Sequence, residues 1–231
     1  MDFSGKQVVV TGGTGALGTS VVSALIGAGA TCTVAYVHDS EAERFPYRGQ
    51  PQATLIKVSD LSDEADVAKV YAGVKSLWAS IHIAGGFAAA KITGIDKAAL
   101  MAQIDSNLTS CFLCCRAAVK AMAPAGGRIV NVAARPALEP RSGAGMTAYT
   151  VAKAGVAALT MALAEEVAKG GILVNAVAPS IMDTVANRKA MPKADHAAWP
   201  KVEEVAATIV FLASPDNRVT RGAIVPVYGK S

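Results

Sequence analysis

The chain is short of charge. Asp, Glu, Lys and Arg make up 17% of its 231 residues, against roughly 25% in an average soluble domain. That deficit suits a sheet buried on both faces, whose strands read as continuous apolar runs. The net charge of +4 is small and the basic residues are scattered, so there is no electrostatic footprint for nucleic acid. Cysteine is scarce too. Cys32, Cys111, Cys114 and Cys115 are too few and too unevenly placed for a disulfide framework. The last three share one helical face, where free cysteine packs as a small hydrophobe; no histidine close in sequence argues for a metal. No run approaches the ~18 uninterrupted apolar residues of a membrane helix. The opening segment, MDFSGKQVVV, has neither a charged n-region nor a cleavage site. The expectation is a cytoplasmic protein with no membrane or nucleic-acid partner.

What the chain does have is alternation. Short apolar runs, at Val8–Val10, Cys32–Tyr36, Leu55–Val58, Ile81–Ile83, Ile129–Val132, Ile172–Ala176 and Ile224–Val227, read as strands. Between them lie helical stretches at Ala16–Gly29, Asp63–Trp78, Lys97–Met122, Thr147–Lys169 and Val202–Leu212, with Ser62 as the expected N-cap of the second. Strand alternating with helix implies right-handed βαβ units, hence an α/β fold with helices on both faces of a seven-stranded, mostly parallel sheet. No repeat or linker divides the chain, so residues 1–231 are expected to form one domain. Two segments look irregular, Arg135–Met146 and Ile181–Pro200. Both follow strands and should emerge at the carboxyl edge of the sheet, where open α/β folds bind ligands. Residues 181–200 are the expected substrate lid.

The first strand runs into Thr11-Gly12-Gly13-Thr14-Gly15-Ala16-Leu17-Gly18 and then a helix. Glycines there let the backbone approach a pyrophosphate, which rests on the helix's first N–H groups. Past the second strand, dinucleotide-binding proteins carry an acid for the ribose 2′-hydroxyl. Here the segment reads Ala35-Tyr36-Val37-His38-Asp39. Asp39 has the spacing but comes late for a strand end, and His38 or Arg44 could meet a 2′-phosphate instead. The choice stays open between NAD and NADP, with a lean to NADP because Tyr36 stands where the acid is expected.

From here on the sequence resembles the short-chain dehydrogenase/reductase family, from residue 5 to about 229. That family's TGxxx(A/G)xG loop is matched by Thr11 through Gly18, and its adenine-binding aspartate by Asp60, followed by Leu61. Its NNAG strand end survives in part as His82-Ile83-Ala84-Gly85, followed by Gly86. Its active-site asparagine matches Asn107, its YxxxK matches Tyr149 and Lys153, and its PG…T segment matches Pro179-Ser180-Ile181 through Thr184. The resemblance implies a Rossmann-type, doubly wound domain, assembled as a homotetramer or homodimer. It also implies cofactor contacts from Gly12, Thr14 to Gly18, Tyr36, His38, Asp60, Leu61, Ala84 to Gly86, Tyr149, Lys153, Pro179 to Ile181 and Thr184.

The YxxxK spacing has a physical reason. Residues i and i+4 lie one turn apart on one helix face, and a lysine ammonium near a phenol favours the phenolate. Tyr149 could then give a proton to a carbonyl oxygen or take one from an alcohol. By resemblance, Lys153 also holds the nicotinamide ribose and Asn107 positions a water. The expected reaction is reversible hydride transfer between a nicotinamide cofactor and a carbonyl, alcohol or C=N group of a small molecule. The alternative is a dinucleotide-binding sensor or scaffold with little activity.

One departure stands out. The family's G-R-I-V-N-x-S-S reads Gly127-Arg-Ile-Val-Asn-Val-Ala133-Ala134 here. Alanine therefore occupies the position of the hydroxyl that orients the substrate oxygen, as in dihydropteridine-type reductases. Either the substrate dispenses with it, or Ser142 in the next loop reaches back. His82 is expected to replace a structural asparagine, and His196 to belong to the lid. Trp199 either covers a substrate ring or packs the lid, and Ala134, Ser142 and Trp199 complete the expected substrate contacts.

Overall fold

The computed structural model describes residues 1–122 and 125–231. Among them, seven strands form one sheet: β1 (Gln7–Thr11), β2 (Thr31–Tyr36), β3 (Ala53–Lys57), β4 (Leu77–His82), β5 (Gly127–Val132), β6 (Ile172–Pro179) and β7 (Ile224–Val227). Their order is β3-β2-β1-β4-β5-β6-β7, and every neighbouring pair is parallel. The sheet is thus wholly parallel, where a mostly parallel one was expected.

Successive side chains of a strand point to opposite faces, and both faces here are covered. Val8 and Val10 pack with Leu17, Val21 and Leu25 of α1 (Ala16–Gly27) and with Val205 and Ile209 of α9 (Val202–Ala213). Val9 faces the other way, with Val67 of α3 (Glu64–Tyr71), Cys114 of α5 (Ser110–Met122) and Val156 of α7 (Thr147–Glu166). Continuous apolar strands follow from this two-sided burial.

Several elements differ from the sequence reading. The helix expected over Asp63–Trp78 ends at Tyr71, and Trp78 lies inside β4. The Gln7 side-chain oxygen accepts from the Lys75 and Ser76 amides at 3.1 and 2.8 Å, drawing the chain out of the helix and into the sheet. The cap of α3 is Asp63 rather than Ser62: its carboxylate accepts from the amides of Ala65 and Asp66 at 2.8 and 3.1 Å. The helix expected over Lys97–Met122 is α4 (Lys97–Ile104) and α5 joined by a π turn at Asp105–Thr109. A short helix the sequence did not announce, α2, covers Asp39–Arg44. The two irregular segments hold α6 (Arg135–Leu138) and α8 (Val185–Ala190), each followed by a 3₁₀ turn.

By length and composition α7 could cross a membrane, with a mean hydropathy of 1.3 over its best 18 residues. In this fold its Ala152, Val156, Ala157, Thr160 and Ala164 are buried, and it packs chiefly on β6, α4 and α6.

Candidate active site

The strand order reverses between β1 and β4, since the chain leaves β1 toward β2 on one side and β4 leads to β5 on the other. Ligands of open α/β sheets bind in the crevice at such a reversal. The glycine loop emerges there. Gly12 has φ +65°, and a Cβ on it would stand 2.8 Å from the Ala84 nitrogen; a Cβ on Gly18 would stand 2.2 Å from the Gly12 carbonyl oxygen. Neither position tolerates a side chain without moving backbone. Gly15 caps α1 without a side-chain acceptor, and the first turn holds no acid. Its amides are left for an anion, and the helix dipole favours one there.

Beside the loop lies a cleft of about 330 Å³. Gly12 and Thr14 to Gly18 form one wall, Tyr36, His38 and Glu41 another, and Leu61, Ala84 and Gly85 complete it. Most of the expected cofactor contacts therefore converge on one cavity, and its shape, glycine floor and free helix amides fit a dinucleotide. Asp60 is exposed beside it, accepting from the Ser62 amide at 2.8 Å. Asp39 is salt-bridged to Lys57 at 2.5 Å, and Arg44 is exposed at the far end of α2.

Farther along the sheet edge, Pro179 ends β6, Ser180 Oγ donates to the Tyr228 carbonyl at 3.0 Å, and Thr184 Oγ1 caps α8 by accepting from the Asn187 amide at 3.1 Å. Ile181 is partly exposed.

The π turn sets Asn107. A π turn inserts one residue into the helical ladder, and here it carries Asn107 into the interior, 1% exposed. The amide nitrogen donates to the carbonyls of Gly86 and Gln103 at 2.9 and 3.0 Å. Its Oδ1 is buried without a partner, and buried acceptors are rarely left so. A methyl group on Gly85 would lie 2.5 Å from that Oδ1 and 3.5 Å from Lys153 Nζ. The bare glycine thus lets asparagine and lysine converge.

Lys153 is 5% exposed, and its ammonium donates to the Val132 carbonyl at 2.7 Å. Burial pushes its pKa down to about 8. Nζ stands 5.9 Å from the centre of the Tyr149 ring, and the Phe87 ring meets the Tyr149 ring edge to face with centroids 5.0 Å apart. The i, i+4 spacing predicts that Lys153 lowers the tyrosine's pKa. Instead, burial pushes Tyr149 up to about 12, because desolvation of the phenolate dominates. Tyr149 is a phenol at neutral pH.

Ala133 and Ala134 directly follow β5, both buried, and the Ala133 amide donates to the Val177 carbonyl at 2.8 Å. Ser142 does not reach back: it is exposed and donates to the Glu139 carbonyl at 2.8 Å within its own turn. Trp199 is buried, with the His196 ring 4.6 Å away, and His196 Nε2 meets the Met191 carbonyl at 2.8 Å. Both side chains are thus engaged within segment 181–200.

His82 corrects one expectation, because it stands beside the cysteines. Its Nδ1 is 3.5 Å from Cys115 Sγ, and the ligand atoms of His82, Cys111 and Cys115 lie within 4.8 Å of one another. Asn131 gives its amide to Thr160 Oγ1 at 2.9 Å, so its Oδ1 must accept from His82 Nδ1 at 2.8 Å. With Nδ1 carrying hydrogen, Nε2 accepts from Ser80 Oγ at 2.9 Å. Nδ1 ties β4 to β5 and Nε2 is held within β4, so both ring nitrogens are spent on structural contacts.

Two further residues border the site, Phe87 against Tyr149 and Glu41 in the cleft wall. Phe87 directly follows the glycine pair, a signal that was there to read; Glu41 sits on α2, a helix with no legible signature.

The family model described as short chain dehydrogenase matches residues 6–195. Galactitol 2-dehydrogenase of Rhizobium johnstonii is 33% identical, over 97% of this chain and 94% of its own length. Cis-4-hydroxycyclohexanecarboxylate dehydrogenase of Sinomonas cyclohexanicum is 34% identical, over 98% and 96%. A solved structure described as a short chain dehydrogenase/reductase family protein superposes with a TM-score of 0.91 at 26% identity, covering 99% of this chain and 98% of that one.

Proposed function

The chain belongs to the short chain dehydrogenase family, and on that premise we propose that Tyr149, Lys153 and Asn107 move the proton in its reaction. The protein is a nicotinamide-dependent oxidoreductase acting on a small molecule. The observation that carries the assignment is the meeting of the orphaned Asn107 Oδ1 with Lys153 Nζ over Gly85, at the mouth of the glycine-loop cleft. The loop and the amides of α1 would hold the dinucleotide's pyrophosphate. When bound, the dinucleotide supplies or accepts the hydride.

Tyr149, held as a phenol by burial, donates its proton to the substrate oxygen in reduction and recovers one in oxidation. The reading has Lys153 support the charge left on the phenolate, while Asn107 Oδ1 accepts from a water that returns the proton. A sensor or scaffold that does no chemistry finds no support: it needs neither a buried lysine nor an unpartnered buried carbonyl. Segments 135–146 and 181–200 are proposed to shape the substrate pocket, the second as a lid, with all of residues 1–231 acting as one domain in the cytoplasm. Following NAD(P)H absorbance over a panel of ketones, cyclic alcohols, polyols and pterin-like C=N compounds tests the reaction. No turnover by either cofactor with any of them would count against it.

The absent serine points to a substrate that polarises itself. A hydroxyl introduced by Ala134→Ser would be a buried group without a partner, costing about 1–3 kcal/mol. We expect it to leave the native reaction unchanged or slower, and Ser142→Ala to be silent, since Ser142 is satisfied within its own turn. Faster turnover by Ala134→Ser on every substrate would mark this chain as a weakened reductase instead.

Assembly is proposed to bury the outer faces of α4, α5 and α7, where Leu100, Met101, Phe112, Val151 and Met161 are partly exposed. Large apolar side chains gathered on adjoining helices mark an interface. Light scattering at micromolar concentration should give about four times the 23.5 kDa chain mass; a monomer would refute the reading.

For the cofactor, Tyr36 and His38 in the cleft wall leave room for the 2′-phosphate of NADP(H), the basis of the sequence's lean. Glu41 stands in the same wall, and its charge opposes a phosphate.

A further inference from the structure

We propose that Glu41 selects the cofactor: its carboxylate accepts from the adenosine ribose hydroxyls and repels a 2′-phosphate, so that the chain prefers NAD(H). The inference rests on the dinucleotide-binding reading of the cleft and reverses the lean drawn from sequence. It starts from a vacancy in the usual arrangement. The acid that accepts from the ribose diol ordinarily ends the second strand, and here that position is Tyr36, a phenol with one oxygen. Asp39, the acid nearest in sequence, has its carboxylate on Lys57 at 2.5 Å, 61% exposed.

Glu41 is placed otherwise. It lies in the first turn of α2, where its side chain meets the glycine loop: Thr14 Oγ1 donates to its Oε2 at 2.9 Å. It lines the cleft together with Thr14, Gly15, Tyr36 and His38. No salt bridge within 4.0 Å ties up its charge among the described residues. One carboxylate oxygen is engaged by a neutral hydroxyl, which leaves the other free to accept. The loop residue Gly15 brings no cation to the wall, and Arg44, at the far end of α2, is exposed. A dianionic phosphate would therefore meet a carboxylate with a single imidazole, that of His38, to offset it. A ribose diol would meet an acceptor already oriented by Thr14.

Hydrogen bonds to charged groups are the strong ones, so the effect should be readable in binding alone. NADH and NADPH are titrated separately into purified wild type, Glu41→Gln and Asp39→Asn, following nicotinamide fluorescence. Wild type should bind NADH about tenfold or more tightly than NADPH. Glu41→Gln, which keeps the size and the Thr14 contact, should weaken NADH by about tenfold and strengthen NADPH, while Asp39→Asn leaves the ratio as it was. Wild type preferring NADPH would overturn the proposal. So would a Glu41→Gln protein that weakens both cofactors equally, since Glu41 would then only brace the loop. If wild type binds neither dinucleotide, the cleft itself has been misread and the proposal falls with it.

Discussion

Tyr149→Phe should remove nearly all turnover and leave dinucleotide affinity within about twofold of wild type. The substitution deletes one oxygen. The ring remains, with its edge-to-face contact to Phe87 at 5.0 Å, so the wall of the pocket keeps its shape. What goes is the only phenolic proton beside Lys153 in the proposed apparatus. General acids and bases contribute about 10²- to 10⁴-fold, and the loss should fall in that range and appear in kcat rather than in cofactor binding. A Phe variant retaining more than about a tenth of the activity would place the proton elsewhere. The pH dependence carries a second signature. Burial raises the tyrosine to about 12, so reduction should not fall at mildly alkaline pH through loss of the phenol. A decline setting in near pH 8 would instead report Lys153, whose charge is lost there.

The parts of the fold that were legible in sequence are those fixed by local chemistry. Val8 to Val10 running into a glycine loop and then a helix could only be a strand, turn and helix start, and the cleft formed where that reading put it. The spacing of Tyr149 and Lys153 on one face of α7 was equally plain. What stayed hidden depends on contacts between distant segments. Nothing near Tyr71 tells that Gln7, more than sixty residues earlier, will take the Lys75 and Ser76 amides and end the helix. The apolar period of Lys97–Met122 runs straight through the π turn, because inserting one residue barely disturbs a helical pattern while it swings Asn107 inward. His82 looked remote from Cys115, at 33 residues' separation, yet parallel strands and their crossover helix bring the pair to 3.5 Å. The sign of the Tyr149 shift was misjudged for a related reason: i, i+4 spacing gives proximity but not burial, and burial decided it.

Lys153→Met should abolish turnover while costing little or no stability at neutral pH, and the stability difference should depend on pH in a fixed direction. Lys153 has its pKa pulled from 10.5 to about 8 by burial. Below pH 8 both folded and unfolded chains bind its proton, and the folded state bears the full cost of the buried charge. At 1.36 kcal/mol per unit that cost is about 3 kcal/mol. Between pH 8 and 10.5 the unfolded chain binds the proton more than the folded one does, so this group's contribution to stability rises with pH. The methionine escapes the cost at every pH but leaves the Val132 carbonyl, now paired at 2.7 Å, without its donor, a penalty of about 1–3 kcal/mol. At pH 7 the two nearly cancel, and the variant should match wild type or exceed it by about 1–2 kcal/mol. As pH climbs past 10, wild type should gain on the variant by most of the ~3 kcal/mol. Urea unfolding of both proteins at pH 7 and pH 10.5 reads this directly, because other alkaline titrations are common to both and drop out of the difference. A difference that stays constant with pH would mean that Lys153 is not desolvated as the structure has it. A buried cation that lowers the stability of its own fold and holds a single carbonyl is retained for the site it faces, and its removal should therefore cost activity rather than stability.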